Sequence, residues 1–113
     1  MHEMSLAEGV VQLIEDSAKA NHFTCVKTVW LEIGQLSGVE AEAVRFCFDA
    51  VAHGGVAEGA VLEIIETPGQ GRCFDCRKTV AVAARFEPCP LCGNYNVEVT
   101  GGTEMRVKEL EVV

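Results

Sequence analysis

The 113-residue sequence contains no apolar run that approaches the roughly 20 residues needed to cross a bilayer. Its first residues also lack the basic cluster of a secretory signal peptide, because Met1-His2-Glu3-Met4 carries no lysine or arginine. These two features predict a cytoplasmic protein with no membrane anchor. In such a reducing compartment, the six cysteines are expected to be metal ligands or buried thiols instead of a disulfide framework.

Basic residues are scarce as well. The chain has nine lysines and arginines against seventeen acidic residues, which gives a net charge of −8. A chain of this charge repels phosphate backbones at long range, and this argues against a general nucleic-acid-binding protein. Apolar residues make up 49% and charged residues 23% of the sequence, an ordinary globular balance that excludes a disordered or low-complexity chain. The length allows one domain, or one domain with a small inserted module.

Proline is rare and unevenly placed. All three prolines lie between Pro68 and Pro90, in a stretch that also holds four of the six cysteines. This change of composition predicts one domain made of residues 1–68 with 97–113, and an inserted module made of residues 69–96. The module is too short to bury a hydrophobic core of its own.

Outside the module, apolar spacing predicts five elements. Residues 4–20 repeat apolar side chains every three or four positions, as an amphipathic helix does, whereas residues 25–33 alternate, with Val29, Leu31 and Ile33 on one face. Ser37 and Glu40 fit a capping box at the start of a second helix. The predicted helices are 4–20 and 39–52, and the predicted strands are 25–33, 60–67 and 105–112.

The cysteine spacing is the strongest chemical signal. Cys73-x2-Cys76 is followed by twelve residues and then by Cys89-x2-Cys92. Two residues between thiolates let one tight turn present both sulfurs, and two such turns facing each other build the tetrahedral site that zinc prefers. A closed site of four thiolates has no open position for a substrate, so we expect a structural zinc. The predicted fold class is therefore α+β: a three-stranded sheet with two helices on one face, plus an inserted small zinc-ribbon module.

Two other chemistries compete for these cysteines. One is a redox Cys-x-x-Cys motif, but such a motif usually opens a helix after a strand. This sequence has two Cys-x-x-Cys pairs, which also argues against redox chemistry. An iron–sulfur cluster also uses four cysteines, but the symmetric spacing favours zinc. Cys25 and Cys47 lie outside the pairs and are expected to be buried thiols.

The first residues form a second candidate metal site. A bulky residue at position 2 generally prevents removal of the initiator methionine, so Met1 is expected to keep its amine. That amine, the His2 backbone amide and the His2 imidazole can reach one metal through small chelate rings. Nitrogen donors of this kind suit a square-planar ion such as Ni(II) or Cu(II).

Four features of the sequence carry a resemblance to a known family. They are Met1-His2-Glu3-Met4-Ser5-Leu6, Trp30-Leu31-Glu32-Ile33-Gly34-Gln35-Leu36-Ser37, Ala43-Val44-Arg45-Phe46 and the two Cys-x-x-Cys pairs. In these features the sequence resembles the HypA/HybF family of nickel-delivery proteins for maturation of nickel–iron hydrogenase. The combination of the Met-His-Glu start with the late cysteine quartet is specific, and the resemblance covers nearly the whole chain.

The resemblance implies a metallochaperone and not an enzyme. It implies Ni(II) as transferred cargo at Met1, His2 and Glu3, and structural Zn(II) at Cys73, Cys76, Cys89 and Cys92. The implied partners are a HypB-type GTPase and the hydrogenase large-subunit precursor, with no nucleic acid and no membrane, and the protein is a monomer or a homodimer. The alternative function is a zinc-ribbon module that binds protein or nucleic acid without transferring nickel.

Overall fold

The computed structural model describes residues 3–113, so Met1 and His2 lie outside the described part of the chain. Within those residues the chain forms two helices and six strands. Their bounds are α1 Glu3–Asn21, β1 Val26–Gly34, α2 Ala41–Ala52, β2 Val61–Thr67, β3 Gln70–Cys73, β4 Lys78–Ala81, β5 Val97–Gly101 and β6 Met105–Val112. The five elements predicted outside the cysteine module are confirmed.

The chain divides into two compact units. The first unit consists of the described part of 1–31 with Val39–Ile65 and Arg106–Val113, and the second consists of Glu32–Gly38 with Glu66–Met105. The second unit contains all of the predicted module 69–96 together with flanking residues on both sides. The domain boundaries drawn from composition stay a prediction.

Both helices and most of one sheet belong to the first unit. The sheet has the strand order β2-β1-β6, so the last strand pairs with the first. The helices α1 and α2 pack on each other, and the largest fully buried side chains here include Ile14, Val29, Leu31 and Phe48. These residues are the apolar positions whose periodicity predicts the elements. Between Glu3 and Val113, neither helix is long and apolar enough to span a membrane.

The predicted capping box at the start of α2 is wrong. The helix begins at Ala41, its N-cap residue is Glu40 in an extended conformation, and within residues 3–113 this N-cap makes no side-chain cap hydrogen bond. Ser37 instead belongs to the turn after β1, where its backbone N–H donates to the Gly34 carbonyl at 3.0 Å. Because Ser37 lies three residues before the N-cap, its hydroxyl cannot play the role that a capping box assigns to it.

The start of α2 is contacted by α1. The backbone N–H of Glu40 donates to Oε2 of Glu3 at 3.4 Å, and Glu3 is only 6% exposed although its side chain is polar. A carboxylate at a helix N-terminus accepts from an otherwise unpaired backbone donor and complements the helix dipole. The side chain of Glu3 therefore stabilises the start of the other helix.

The second unit is built on an antiparallel sheet with the strand order β4-β3-β5. The central strand β3 pairs Cys73 with Lys78 on one side and with Val97 on the other. Its buried cluster contains Leu36, Val80 and Val82 together with Cys73 and Cys89. Gly102 adopts a positive φ of 77°, and a Cβ atom there would lie 2.6 Å from the Pro68 carbonyl oxygen. Glycine is therefore required where this chain segment crosses its neighbour.

Candidate metal centre

The four paired cysteines meet at one end of the second unit. Cys73 ends β3, Cys76 lies in the turn that leads to β4, and Cys89 and Cys92 lie in the loop before β5. Their four sulfur atoms all lie within 4.8 Å of one another. The Sγ atoms of Cys73 and Cys92 are 3.6 Å apart, and those of Cys76 and Cys89 are 3.8 Å apart.

This spacing fits a tetrahedral zinc site. A zinc ion with Zn–S bonds of about 2.3 Å places its four sulfurs at mutual distances of about 3.8 Å. Both close pairs match that value, and each joins a cysteine of one knuckle to a cysteine of the other. The donor set is soft thiolate only, which zinc accepts and hard cations do not. The cluster is thus consistent with structural zinc, as the sequence predicts.

Backbone conformation shapes the two knuckles. Arg77, directly after the first pair, has a φ of 58°, and Gly93, directly after the second, has a φ of 79°. The N–H of Leu91 donates to the Cys89 sulfur at 3.4 Å, while the N–H of Gly93 donates to the Cys89 carbonyl at 2.9 Å. These left-handed residues turn the chain sharply, so that both sulfurs of each pair face the same point.

The environments of Cys76, Cys89 and Cys92 shift the pKa values of these three thiols. Burial raises the pKa of Cys89, but N–H donors from the backbone of Cys92 and Leu91 outweigh it and lower the pKa from 9.0 to about 7. Burial raises the pKa of Cys76 to about 12, and hydrogen bonds with the three other thiols act in the same direction. The N–H of Asn94 favours the thiolate of Cys92, yet desolvation and thiol contacts raise its pKa above the usual value. A divalent cation is therefore needed to displace protons from the cluster near neutral pH.

The other predicted site residues have different positions. Met1 and His2 lie outside the described residues, and Glu3 is the buried carboxylate that contacts Glu40. Cys47 is buried as predicted, whereas Cys25, which directly precedes β1, is exposed, contrary to the prediction. Over residues 3–113, the cysteine quartet is the only group of three or more His, Cys, Asp or Glu side chains close enough to hold a metal ion.

Comparisons with known proteins agree with the geometry. The model of a family described as "Hydrogenase/urease nickel incorporation, metallochaperone, hypA" matches residues 1–112. Hydrogenase maturation factor HypA of Albidiferax ferrireducens is 66% identical over 112 residues, which are 99% of each chain. The protein of the same name from Dechloromonas aromatica is 58% identical over the same share.

Solved structures show the same fold. The solution structure of the Ni metallochaperone HypA from Helicobacter pylori superposes with a TM-score of 0.73 at 29% sequence identity, and the match covers 100% of this chain and 98% of that one. A second solution structure of a HypA protein gives a TM-score of 0.74, again at 29% identity. This chain therefore has the fold of these two HypA structures.

Proposed function

The chain belongs to the HypA family of nickel-incorporation metallochaperones, and from that premise we propose that it delivers Ni(II) to the large subunit of nickel–iron hydrogenase during maturation. The observation that carries this proposal is the family match over residues 1–112, which includes both candidate metal sites. The family description names hydrogenase and urease, whereas the similar proteins are named for hydrogenase maturation. Hydrogenase is for this reason the proposed target.

The proposed nickel site is Met1, His2 and Glu3. The Met1 amine and the His2 amide nitrogen close a five-membered ring around the ion, and the His2 imidazole Nδ1 closes a six-membered ring with the same amide. A d⁸ Ni(II) ion favours the planar nitrogen field that these donors supply. A site made from a chain terminus has few fixed ligands and releases its cargo more readily than a closed cage.

The position of Glu3 bears on which of its groups we propose for nickel. Its carboxylate is buried and accepts the N–H of Glu40, the N-cap of α2. Moving that carboxylate to a metal would break this contact and take the Glu3 acceptor away from the Glu40 N–H. We therefore assign the backbone amide of Glu3, and not its side chain, to the nickel site.

The proposed zinc ligands are Cys73, Cys76, Cys89 and Cys92. The sulfur distances and the donor chemistry support this assignment. When bound, the ion cross-links the two knuckles of the second unit. Four protein ligands leave no open coordination position, so this zinc holds the fold and takes no part in a reaction.

The remaining parts of the proposal concern partners. We expect the protein to act without catalysis of its own, in the cytoplasm, and to pass nickel on together with a HypB-type GTPase and the hydrogenase large-subunit precursor. Either a monomer or a homodimer is compatible with this role. The family description of a metallochaperone, a protein that carries metal, supports the expectation that nickel is passed on.

Two variants test the nickel site. His2→Ala removes the imidazole, and one residue inserted before Met1 moves the amine away from the His2 amide. Each change is expected to abolish specific nickel binding in a titration of the untagged protein, while zinc content stays at one ion per chain. The matched control is His53→Ala, because His53 lies on the surface, with its Nδ1 2.9 Å from Oε1 of Glu58. This variant should bind nickel normally.

The pH dependence gives a second readout. Nickel must displace protons from the ammonium, the amide and any imidazolium, so the affinity should fall as pH drops through the roughly 6.5–8 range of imidazoles and α-amines. An extended chain that binds nickel as tightly as the native one, with the same pH profile, would show that the amine is not a ligand. Absence of nickel from both the native protein and the His2 variant would favour the alternative zinc-ribbon function.

A further inference from the structure

The four cysteines of the metal centre differ in how accessible they are. Cys73 is 0% exposed and Cys89 is 2% exposed, and Cys76 is half-buried, whereas Cys92 is exposed. Oxidation of a cysteine depends on its thiolate character and on its exposure. Because a sulfur that binds zinc is a thiolate, all four meet the first condition when the site is loaded. Exposure therefore makes Cys92 the point at which an oxidant reaches the cluster.

The neighbours of Cys92 in the chain leave it accessible. Leu91 is itself 62% exposed. Gly93 has no side chain, and open space surrounds the position that its Cβ would occupy. A small oxidant can thus approach the second knuckle from solvent without any movement of the buried cluster.

A second thiol lies within reach of Cys92. The Sγ atoms of Cys73 and Cys92 are 3.6 Å apart, closer than the 3.8 Å between those of Cys76 and Cys89. Cys73 is fully buried, so an oxidant does not reach it first. An exposed thiolate beside a buried second thiol is the arrangement of a redox-sensitive cysteine and its resolving partner.

We propose that Cys92 is an oxidation site for hydroperoxides, with Cys73 as its resolving thiol. The Cys92 thiolate attacks one oxygen of hydrogen peroxide, and the O–O bond breaks to give a sulfenic acid and a hydroxide ion. The Cys73 thiolate then attacks the Cys92 sulfur, forms the S–S bond and displaces a second hydroxide. The two sulfurs lose two electrons in all, and these reduce the peroxide to water once the hydroxides are protonated.

The product keeps the two knuckles joined. A Cys73–Cys92 disulfide links the end of β3 to the loop before β5. Only Cys76 and Cys89 then remain as thiolates, and two sulfurs are half of the donor set of a structural zinc site. Oxidation thereby exchanges a metal cross-link for a covalent one, and a thiol reductant reverses the exchange. This step rests on the zinc assignment proposed above and not on nickel delivery.

Zinc release and disulfide mapping test the proposal together. The full-length zinc-loaded protein carries Cys25→Ser, which removes an exposed thiol outside the quartet. It is treated with about one molar equivalent of hydrogen peroxide while a chromogenic chelator reports free zinc. We expect one zinc released for each disulfide formed. Dithiothreitol followed by added zinc should restore the original zinc content, because a disulfide is reversible and a sulfonic acid is not.

Mass spectrometry identifies the bond after free thiols are blocked with N-ethylmaleimide. The first Cys-x-x-Cys pair lies on tryptic peptide 73–77 and the second on peptide 86–106. We expect these two peptides to be cross-linked, and fragmentation to place the bond between Cys73 and Cys92. A bond within either peptide would have a different mass and no partner peptide.

Two variants separate exposure of the sulfur from the number of thiolates. Cys92→His supplies a nitrogen ligand, which zinc accepts in sites of three cysteines and one histidine, and removes the exposed sulfur. Cys76→His is the matched control, because it makes the same ligand exchange and keeps both Cys92 and Cys73. Peroxide should release zinc at least about tenfold more slowly from Cys92→His, whereas Cys76→His should release it at close to the unsubstituted rate.

Three results would overturn the proposal. One is zinc that stays bound while the same peroxide oxidises free cysteine, and another is a first disulfide other than Cys73–Cys92. The third is equal zinc release from Cys92→His and Cys76→His. The mapping does not depend on the histidine variants, so it decides the question even where one of them binds zinc poorly. Zinc analysis before peroxide is added separates these results from a wrong zinc assignment, which a protein isolated without zinc would reveal.

Discussion

Removal of one sulfur from the cysteine cluster should unfold the second unit and spare the first. Cys89 is the most informative position. It is 2% exposed, its sulfur lies 3.8 Å from that of Cys76, and it accepts the N–H of Leu91. Cys89→Ser keeps nearly the same shape but replaces the soft thiolate by a hydroxyl, which is a poor zinc ligand.

The expected magnitude follows from what else holds this unit together. Apart from cysteines, its buried cluster contains only Leu36, Val80 and Val82. Full burial of three such side chains contributes about 6 kcal/mol. A structural zinc contributes on the order of 10 kcal/mol or more. Because the metal stabilises the unit more than these three side chains do, loss of zinc removes most of what orders β3, β4 and β5.

The first unit has its own core and should keep its fold. Ile14, Val29, Leu31 and Phe48 lie in that unit and are almost fully buried. Amide hydrogen exchange separates the two outcomes, because protection is read for each strand individually. We expect the β3–β5 amides of Cys89→Ser to exchange quickly, while those of α1 and β1 stay protected.

A second cysteine supplies the control. Cys25 is exposed and lies outside the quartet, so Cys25→Ser should retain one zinc per chain and native exchange throughout. If Cys89→Ser also retained a full zinc with slow exchange in β3 and β5, the assignment of the quartet as the stabilising site would be wrong.

Three further changes test other parts of the structure. Glu3→Ala should destabilise the first unit by about 1 kcal/mol in chemical denaturation, because the α2 N-cap amide loses its acceptor. Glu3→Gln keeps an oxygen at that position and should destabilise the unit less. Equal effects of the two variants would contradict the contact between Glu3 and Glu40. Gly102→Ala should lower the free energy of unfolding by about 1 kcal/mol or more, since φ is 77° and other atoms occupy the position of the added Cβ. Gly9→Ala has open space around its Cβ and should stabilise α1 by up to about 1 kcal/mol. Zinc affinity should fall as pH decreases, and more steeply below about pH 7, where the Cys89 thiol (pKa about 7) takes up a proton in addition to those already held by Cys76 (pKa about 12) and by Cys92, whose pKa is raised. Proton release measured by calorimetry in two buffers checks the slope.

Local patterns predicted most of the secondary structure and the metal-binding chemistry. The alternation of Val29, Leu31 and Ile33 identified a strand with a buried face, and all three side chains are buried. The apolar spacing of residues 39–52 predicted α2 within two residues of its observed start at Ala41. Such patterns succeed because helices and strands repeat their side-chain directions every 3.6 and 2 residues.

Predictions that depended on a single side-chain contact were less successful. Ser37 and Glu40 have the spacing of a capping box, but the helix starts one turn later than the box requires. The spacing between Ser37 and Glu40 cannot show which of these two residues is the N-cap. The position of the N-cap depends on where the preceding strand ends and how its turn closes. Likewise, β5 has only five residues, and polar residues alternate with its valines. Its sequence alone therefore does not show that it pairs with β3.

The sequence by itself determined that this chain has two amphipathic helices, strands with buried faces and a quartet of cysteines with zinc spacing, because each of these depends on residues near one another in the chain. Only the tertiary structure decided which distant residues meet. It paired the last strand with the first, brought the carboxylate of Glu3 to the N-terminus of α2, and placed the Cys73 sulfur next to that of Cys92 and the Cys76 sulfur next to that of Cys89. Contacts of this kind depend on how whole elements pack, which no local pattern encodes.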